Sequence, residues 1–400
     1  LEKKPDEARN DVFWDELYHR EKIMRIAVNT RLLLKGKLEG IGWFTYETLK
    51  RITKAHPEHE FIFIFDRKPD PSFIFSDNVK AVVAHPQARH PILWYLFFEF
   101  GVYRVLRKYK PDVFLSPDGW LSLRSKVKSV AVIHDLNFEA HPEFLPAHIA
   151  KYYQRFFPRF SRKATRIATV SEYTRKDLHE RYAIPLSKTD VVYNGANTLF
   201  KPLSDAEIRN VRNEFSDGAP YFLFVGLIHP RKNLENQIRA FDAFKKASKS
   251  DMKFLIVGAK HWWSTGLTDI LDTTKFREDI IFLGRKDMES LVRIYGGAHA
   301  LMYVSYFEGF GIPIVEAFHA EIPIITSATS SMPEICGDAG ITVNPDSIVE
   351  ITAAMEKITA DNELRNHLIE KGRNQREKFS WDKTADALWE TIEKAVIADR

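Results

Sequence analysis

The chain contains one cysteine, Cys336, among 400 residues, which excludes an intrachain disulfide and fits a reducing compartment. It has no apolar run of the ~20 residues that a membrane span requires. The longest, Pro91 to Leu106 (PILWYLFFEFGVYRVL), is interrupted by Glu99 and Arg104 and reads as a mostly buried helix with an aromatic and basic edge at Trp94, Arg104, Arg107 and Lys108. No secretory leader pattern is seen. A P-loop is missing, and no D-x-D pair stands ready to hold a divalent cation. Metal ligation is not expected, because His134-Asp135, His56 and His59 form no dense ligand set in the sequence. Nor is there a large excess of one charge: 58 basic residues oppose 54 acidic ones, a net of +4, and with no recognition motif present a nucleic-acid partner is not expected.

What is present is a globular composition, 44% apolar and 28% charged with a mean hydropathy of -0.29, on a length that exceeds a single core. Residues 1–23 are charged and aperiodic; they read as an N-terminal extension without chemistry, and Met24 opens the first strand. Strand-like runs then alternate with helical segments at 24–28, 61–65, 79–83, 113–116, 130–134, 167–171 and 191–193. A second series follows at 221–226, 254–258, 280–284, 300–305, 322–327 and 340–344. Alternation of this kind demands crossover connections and therefore parallel sheets. We expect two doubly wound α/β domains of Rossmann-like type, 24–198 and 220–375, joined by a polar linker at 199–219. Residues 376–400 form a last helix with Ser380 as its N-cap.

In open parallel sheets, ligands sit beyond the carboxyl ends of the strands. Four stretches occupy such positions. The first is Gly36-Lys-Leu-Glu-Gly40-Ile-Gly42-Trp43, a glycine-rich strand-to-helix loop that lacks the third glycine of a dinucleotide fingerprint, which argues against an NAD-linked dehydrogenase. The second is His134-Asp135 after the run AVI. The third is Gly226-Leu-Ile-His-Pro-Arg231-Lys232-Asn233, where two adjacent cations at a helix start oppose the helix dipole unless an anion sits among them. The fourth, Leu301 to Ala317 (LMYVSYFEGFGIPIVEA), sets Glu308 and Glu316 with seven residues between them around a glycine-rich turn into a helix opened by Pro313. Helix-terminal N–H groups attract an anion, and carboxylates accept hydroxyls, so a ligand with a phosphate at its middle and polyols at its ends suits this loop. Glu316 also fits a plain first-turn acid, and Ser171, after ATV, an N-cap.

These residues resemble the E-x7-E motif of retaining, nucleotide-sugar-dependent glycosyltransferases of the GT-B fold, family four. Over 226–235 the chain is similar to that family's glycine turn ending in [RK]-K-N-x-E, here Arg231-Lys232-Asn233-Leu234-Glu235. The resemblance extends from Met24 to the C-terminus and implies two Rossmann-like domains facing a cleft, with the last helix crossing back to the first domain. It implies that Glu308 holds hydroxyls of the donor sugar, that Glu316 holds the ribose, and that Phe310, Gly311 and Ile312 contribute to donor binding. Arg231 and Lys232 would grip the pyrophosphate, His134 would lie beside the reacting carbon, and Gly40 and Gly42 would lie near the donor phosphates. Ser330 to Glu334 would support the diphosphate loop, and the base would sit near Gly258-Ala259-Lys260, Gly284-Arg285 and His261-Trp262-Trp263. The implied activity is hexosyl transfer, of mannose or similar, from a nucleoside diphosphate sugar without metal or other cofactor. The acceptor would be a glycan or a lipid-linked oligosaccharide of polysaccharide assembly, and the site of action cytoplasmic, at the inner face of the plasma membrane. A nucleotide-sugar epimerase of the same fold and a non-catalytic sugar-nucleotide binder are the competing readings. Arg155, Arg159, Arg162 and Arg166 fall at helical spacing in a stretch, Lys151 to Lys176, with eight cations and one acid; this stripe is either a solvated face or a contact with an anionic membrane or a phosphorylated acceptor.

Overall fold

The computed structural model describes residues 23–259 and 265–398. The extension 1–22 and the aromatic run His261-Trp262-Trp263, together with Lys260, lie outside the described residues. Two sheets, each entirely parallel, organise the rest. The first has seven strands, β1 (Arg25–Asn29), β2 (Glu60–Phe65), β3 (Val79–Val83), β4 (Val113–Ser116), β5 (Lys128–Ile133), β6 (Arg166–Thr169) and β7 (Thr189–Val191), in the order β3-β2-β1-β4-β5-β6-β7. The second has six, β8 (Tyr221–Val225), β9 (Lys253–Val257), β10 (Ile280–Gly284), β11 (Ala300–Tyr303), β12 (Ile324–Ser327) and β13 (Ile341–Val343), in the order β10-β9-β8-β11-β12-β13.

Each order reverses direction once, between β1 and β4 and between β8 and β11, creating a crevice at the carboxyl ends of those strands. The strands read as unbroken apolar runs because helices cover both faces of each sheet. Along β2, Phe61, Phe63 and Phe65 join one core while Ile62 and Ile64 join another across the sheet.

The stretch 199–219, expected as linker, carries the helix Asp205–Ser216. Its start is a capping box, with the Ser204 side chain bonded to the Glu207 N–H and Glu207 reaching back. Val211, buried, joins the core that contains Tyr221 and Ile294, so this segment packs onto the second domain. The last helix, Trp381–Ile397, lies against the helix Gly40–Ala55 and against β5 and β6 of the first sheet. It buries Trp381, Ala385, Leu388 and Ile392 there. Gly195 marks where it meets the first domain: a Cβ at that position would come within 2.6 Å of the Ser380 carbonyl carbon. The helical run 91–109 is only half buried. It widens to a π turn over Phe97–Val102, buries Phe97, Phe98 and Val102, and leaves Ile92, Tyr95 and Phe100 exposed.

Candidate active site

In the second domain, the residues after β8 and after β11 meet across the point where strand order reverses. After β8 the chain makes a tight turn, Pro230–Lys232, then places Asn233 in the left-handed region (φ 53°) before the helix Leu234–Ser248. This aims Arg231 and Lys232 at the segment after β11. Arg231 Nη1 donates to Glu308 Oε2 at 2.8 Å and to the Phe307 carbonyl at 2.8 Å. Lys232 Nζ donates to Glu308 Oε1 at 2.6 Å and to the Tyr303 hydroxyl at 2.7 Å. The anion that adjacent cations at a helix start require is therefore supplied by the protein, and it is Glu308. Burial works against ionised Glu308, but Arg231 and Lys232 outweigh it and hold the carboxyl well below its usual range. Burial lowers Lys232 to about 8, with the like charge of Arg231 adding to the effect and Glu308 opposing it. Burial also disfavours charge on Arg231, but Glu308 and Asp135 more than compensate and raise its pKa.

The loop bearing Glu308 is held from behind. Ser330 Oγ accepts from the Glu308 N–H at 3.0 Å, while Ser331 Oγ donates to the carbonyls of Glu308 (2.9 Å) and Phe310 (3.1 Å). Gly311, at φ +102°, then turns the chain into the helix Ile312–Ala320, a backbone state that favours glycine. The side chain of Phe310 points to structure, packing on Tyr193 and Phe379, which leaves only its backbone to a ligand. Ile312 is partly buried against the same core. Glu316 stands one turn into the helix and accepts from the Tyr295 hydroxyl at 2.7 Å. Burial pushes its pKa up to about 7, with the Tyr295 hydrogen bond working in the opposite direction.

The first domain faces this cluster. The Ser171 hydroxyl caps the helix Glu172–Tyr182 and also donates to the Gly309 carbonyl at 2.7 Å. Gly309 is pressed against the first domain: a Cβ there would lie 1.9 Å from the His134 carbonyl oxygen. Glu334, on the second domain, accepts from the backbone N–H groups of Glu172 (2.8 Å) and Tyr173 (2.9 Å), so one domain's carboxylate caps the other domain's helix.

His134 follows β5, its Nε2–H donating to the Pro117 carbonyl at 2.8 Å and its ring edge-on to Phe44. Burial lowers its pKa, more than the Pro117 hydrogen bond and the nearby Asp135 and Asp118 can offset, so the ring is neutral with Nδ1 as an acceptor. His134 and Asp135 line a cavity of about 430 Å³ with Arg31, Asp66, Trp94 and Tyr153. Its charges are nearly balanced: Arg31 pairs with Asp118 at 2.6 Å and Arg67 with Asp66 at 2.7 Å.

Gly40 and Gly42 are not in a loop. They occupy the first turn of the helix Gly40–Ala55, where Gly42 is packed against the Leu32 carbonyl and Leu38, and Gly40 is exposed. Only Ile41 between them reaches the cavity. His56 and His59 do form a group, contrary to expectation: with Glu58 their ligand atoms lie within 4.8 Å of one another. The group stacks on Trp389 of the last helix rather than joining the cavity or the cation cluster. Tyr303, Tyr295 and the Arg31–Asp118 pair were not singled out by the sequence. For Arg31 and Asp118 the signal existed, since both follow strands that flank the order reversal. Tyr303 offered none beyond its place at a strand end.

Comparison with known proteins identifies the family. The family described as "Glycosyltransferase Family 4" matches residues 38–199, and "Glycosyl transferases group 1" matches 205–375. The chain belongs to the GT-B glycosyltransferases of the family 4 type. It is a transferase enzyme. Among relatives, this glycosyltransferase is 26% identical over 361 residues to O-antigen chain mannosyltransferase B of Escherichia coli, covering 87% of this chain and 94% of that one. It is 27% identical over 284 residues to the O-antigen chain mannosyltransferase RfbU of Salmonella typhimurium, covering 70% and 74%. Its fold is similar to that of Anabaena HepE, solved in complex with UDP and glucose, with a TM-score of 0.72, 16% identity and coverage of 92% and 99%.

Proposed function

We propose that this glycosyltransferase moves a hexose, mannose or a close analogue, from a nucleoside diphosphate sugar to a hydroxyl of a growing glycan or lipid-linked oligosaccharide. Transfer retains anomeric configuration and uses no metal. The observation that carries the reading is the Arg231–Lys232–Glu308 cluster at the order reversal of the second sheet, directly across from His134 and Asp135 of the first. The mannosyl assignment is supported by the relatives' names, and the nucleotide-linked donor by the UDP and glucose held by the HepE structure.

In this reading the diphosphate lies on Arg231, Lys232 and the N-terminal turn of Ile312–Ala320. Glu308 has two tasks: it positions both cations and it accepts hydroxyls of the sugar. Glu316 accepts from the ribose. As the bond from anomeric carbon to phosphate oxygen breaks, negative charge grows on the diphosphate, and preorganised cations meet it, a contribution worth several kcal/mol or about 3. The acceptor hydroxyl attacks on the leaving-group face and passes its proton to the departing phosphate oxygen. Neutral His134 stands beside that path as a hydrogen-bond acceptor. The acceptor's sugar lies in the cavity beside Trp94 and Tyr153, whose apolar ring surfaces and balanced charges suit a neutral glycan end. Closure of the domains over the donor limits hydrolysis.

Melting curves measured against a panel of nucleoside diphosphates test the donor site. One base is expected to raise the midpoint by far more than the others, since a ligand binding only the folded state stabilises it in proportion to the logarithm of occupancy. No shift with any nucleoside diphosphate would overturn the reading.

A further inference from the structure

The two stretches whose cations and aromatics had no use in the donor site come together on one face of the first domain. The half-exposed run 91–109 and the helix Ala147–Lys163 lie side by side: Tyr95 packs on Phe156, and Trp94 packs on Tyr152 and Tyr153. On the inner side, Trp94 and Tyr153 line the cavity next to His134. On the outer side, Ile92, Tyr95, Tyr152 and Phe156 floor a shallow groove rimmed by Arg124, Arg155 and Arg159.

The groove's side chains are arranged as an amphipathic surface rather than as an unfinished core. Ile92 is 68% exposed, Tyr95 42% and Phe100 38%. The guanidinium of Arg124 lies 5.1 Å from the Phe100 ring centre, and those of Arg155 and Arg159 lie 5.8 and 5.7 Å from Phe156. The charged arginine heads thus lie over aromatic faces at the groove's rim. The one acid in the groove, Glu99, is buried and committed to the backbone N–H groups of Leu123 and Arg124 at 2.6 and 3.2 Å. Beyond Arg124 the basic character continues into a second depression that includes Arg107, Lys110 and Lys126, whose sole acid, Asp112, accepts from the Arg25 N–H. The helix Ala147–Lys163 carries five cations and no acid along its 17 residues. No helix among the described residues is long and apolar enough to cross a membrane.

We infer that this face, centred on Ile92, Tyr95, Phe100, Arg124, Arg155 and Arg159, docks the enzyme on the surface of an anionic lipid bilayer. Apolar and aromatic side chains enter the headgroup layer, and the arginines bind lipid phosphates. An acidic protein partner would fit the cations but would leave no reason for the ring of exposed apolar side chains among them. Because Trp94 and Tyr153 of the cavity are the chain neighbours of Tyr95 and Tyr152 of the groove, docking sets the cavity beside the membrane interface, where a glycan on a lipid carrier is presented. That last step rests on the proposed function; the docking itself does not.

Co-sedimentation with vesicles tests it. The enzyme is expected to pellet with phosphatidylcholine vesicles containing about one-third phosphatidylglycerol, to pellet little with phosphatidylcholine alone, and to release as salt approaches about 1 M. The double variant R155E/R159E is expected to lose at least about tenfold in vesicle affinity, and I92S/Y95S a comparable factor, while both keep the wild-type melting midpoint. Neither pair lines the cavity or the cation cluster, so the shift in melting produced by a nucleoside diphosphate should be unchanged in both. Wild-type enzyme that stays in the supernatant with anionic vesicles, or R155E/R159E that pellets as well as wild type, overturns the docking face. A nucleoside diphosphate shift that persists in those samples shows the donor site intact and the failure to be the surface's alone.

Discussion

Glu308 is bonded to both cations that would otherwise face each other unpaired, and this gives its substitution a signature that a simple sugar ligand would lack. Removing one partner of a buried ion pair costs about 3 to 5 kcal/mol. Glu308→Ala is therefore expected to lower the melting midpoint as well as turnover, and a nucleoside diphosphate should restore more of the lost stability than it adds to wild type, because it supplies the missing anion. Lys232→Ala should cut turnover at least about tenfold, ~1.4 kcal/mol in the transition state. Equal stabilisation of wild type and Glu308→Ala by nucleoside diphosphate would mean that the ligand does not reach the cations. Glu316 and Lys232 add a pH dependence. The folded pKa of Glu316 is raised to about 7, so its contribution to stability is full below the ordinary carboxylate range and is lost as pH rises through 7. In the proposed function ribose hydroxyls donate to the ionised form, so binding is expected to release a proton where Glu316 is still protonated, and affinity to rise with pH up to that point. Above about 8, Lys232 loses its charge in the free enzyme and affinity falls. Calorimetric titrations from pH 5.5 to 9 in buffers of different ionisation enthalpy, about one unit apart, should trace a bell; a flat profile would remove both residues from the donor site.

Among the elements, the domains are tied by ring contacts such as Phe144 on Tyr306 and Tyr173 on Phe307, and by specific hydrogen bonds. Glu334 caps the helix Glu172–Tyr182 across the domain boundary, and Ser171 holds the Gly309 carbonyl. Glu334→Ala is expected to cost only about 1 kcal/mol of global stability, the usual worth of a helix cap, yet to widen the protein in solution scattering and weaken donor turnover. An unchanged radius of gyration and rate would show that the clasp has no role in closure. Gly309→Ala should be harsher for activity than for folding, since its Cβ would meet the His134 carbonyl. The strands themselves were legible because a parallel strand covered on both faces is an unbroken apolar run, as in EFIFIF of β2. The clasp was not legible, because a carboxylate that caps a helix 162 residues away leaves no local pattern. The helix Asp205–Ser216 did leave one, the Ser204-to-Glu207 capping box, which the polar composition of its surroundings obscured. Similarly, the pattern around Arg231 and Lys232 revealed that an anion was needed but not that Glu308 was the one in place.

For the whole molecule, the last helix decides how the first domain is completed. Trp381–Ile397 contributes Leu388 and Ile392, both fully buried, to the core beneath the first sheet. Leu388→Ala is expected to destabilise the protein by about 2 to 5 kcal/mol, with hydrogen exchange rising first in Gly40–Ala55, the helix it packs against. Protection lost only in the second domain would place the helix wrongly. The two-domain plan could be read from chain length and from two series of strand runs, and the site's general position from the rule that ligands lie at strand ends. Which strand ends would meet depended on the pairing order, which no local stretch encodes. In the proposed reaction a sugar leaves a diphosphate held by Arg231 and Lys232. Nuclear magnetic resonance of reactions with a panel of nucleoside diphosphate hexoses tests it most directly. One donor should be consumed, its sugar should appear on the acceptor with the anomeric configuration it had in the donor, and the Arg231→Ala/Lys232→Ala double variant should stop the reaction. An inverted product, or equal turnover by that variant, would contradict it.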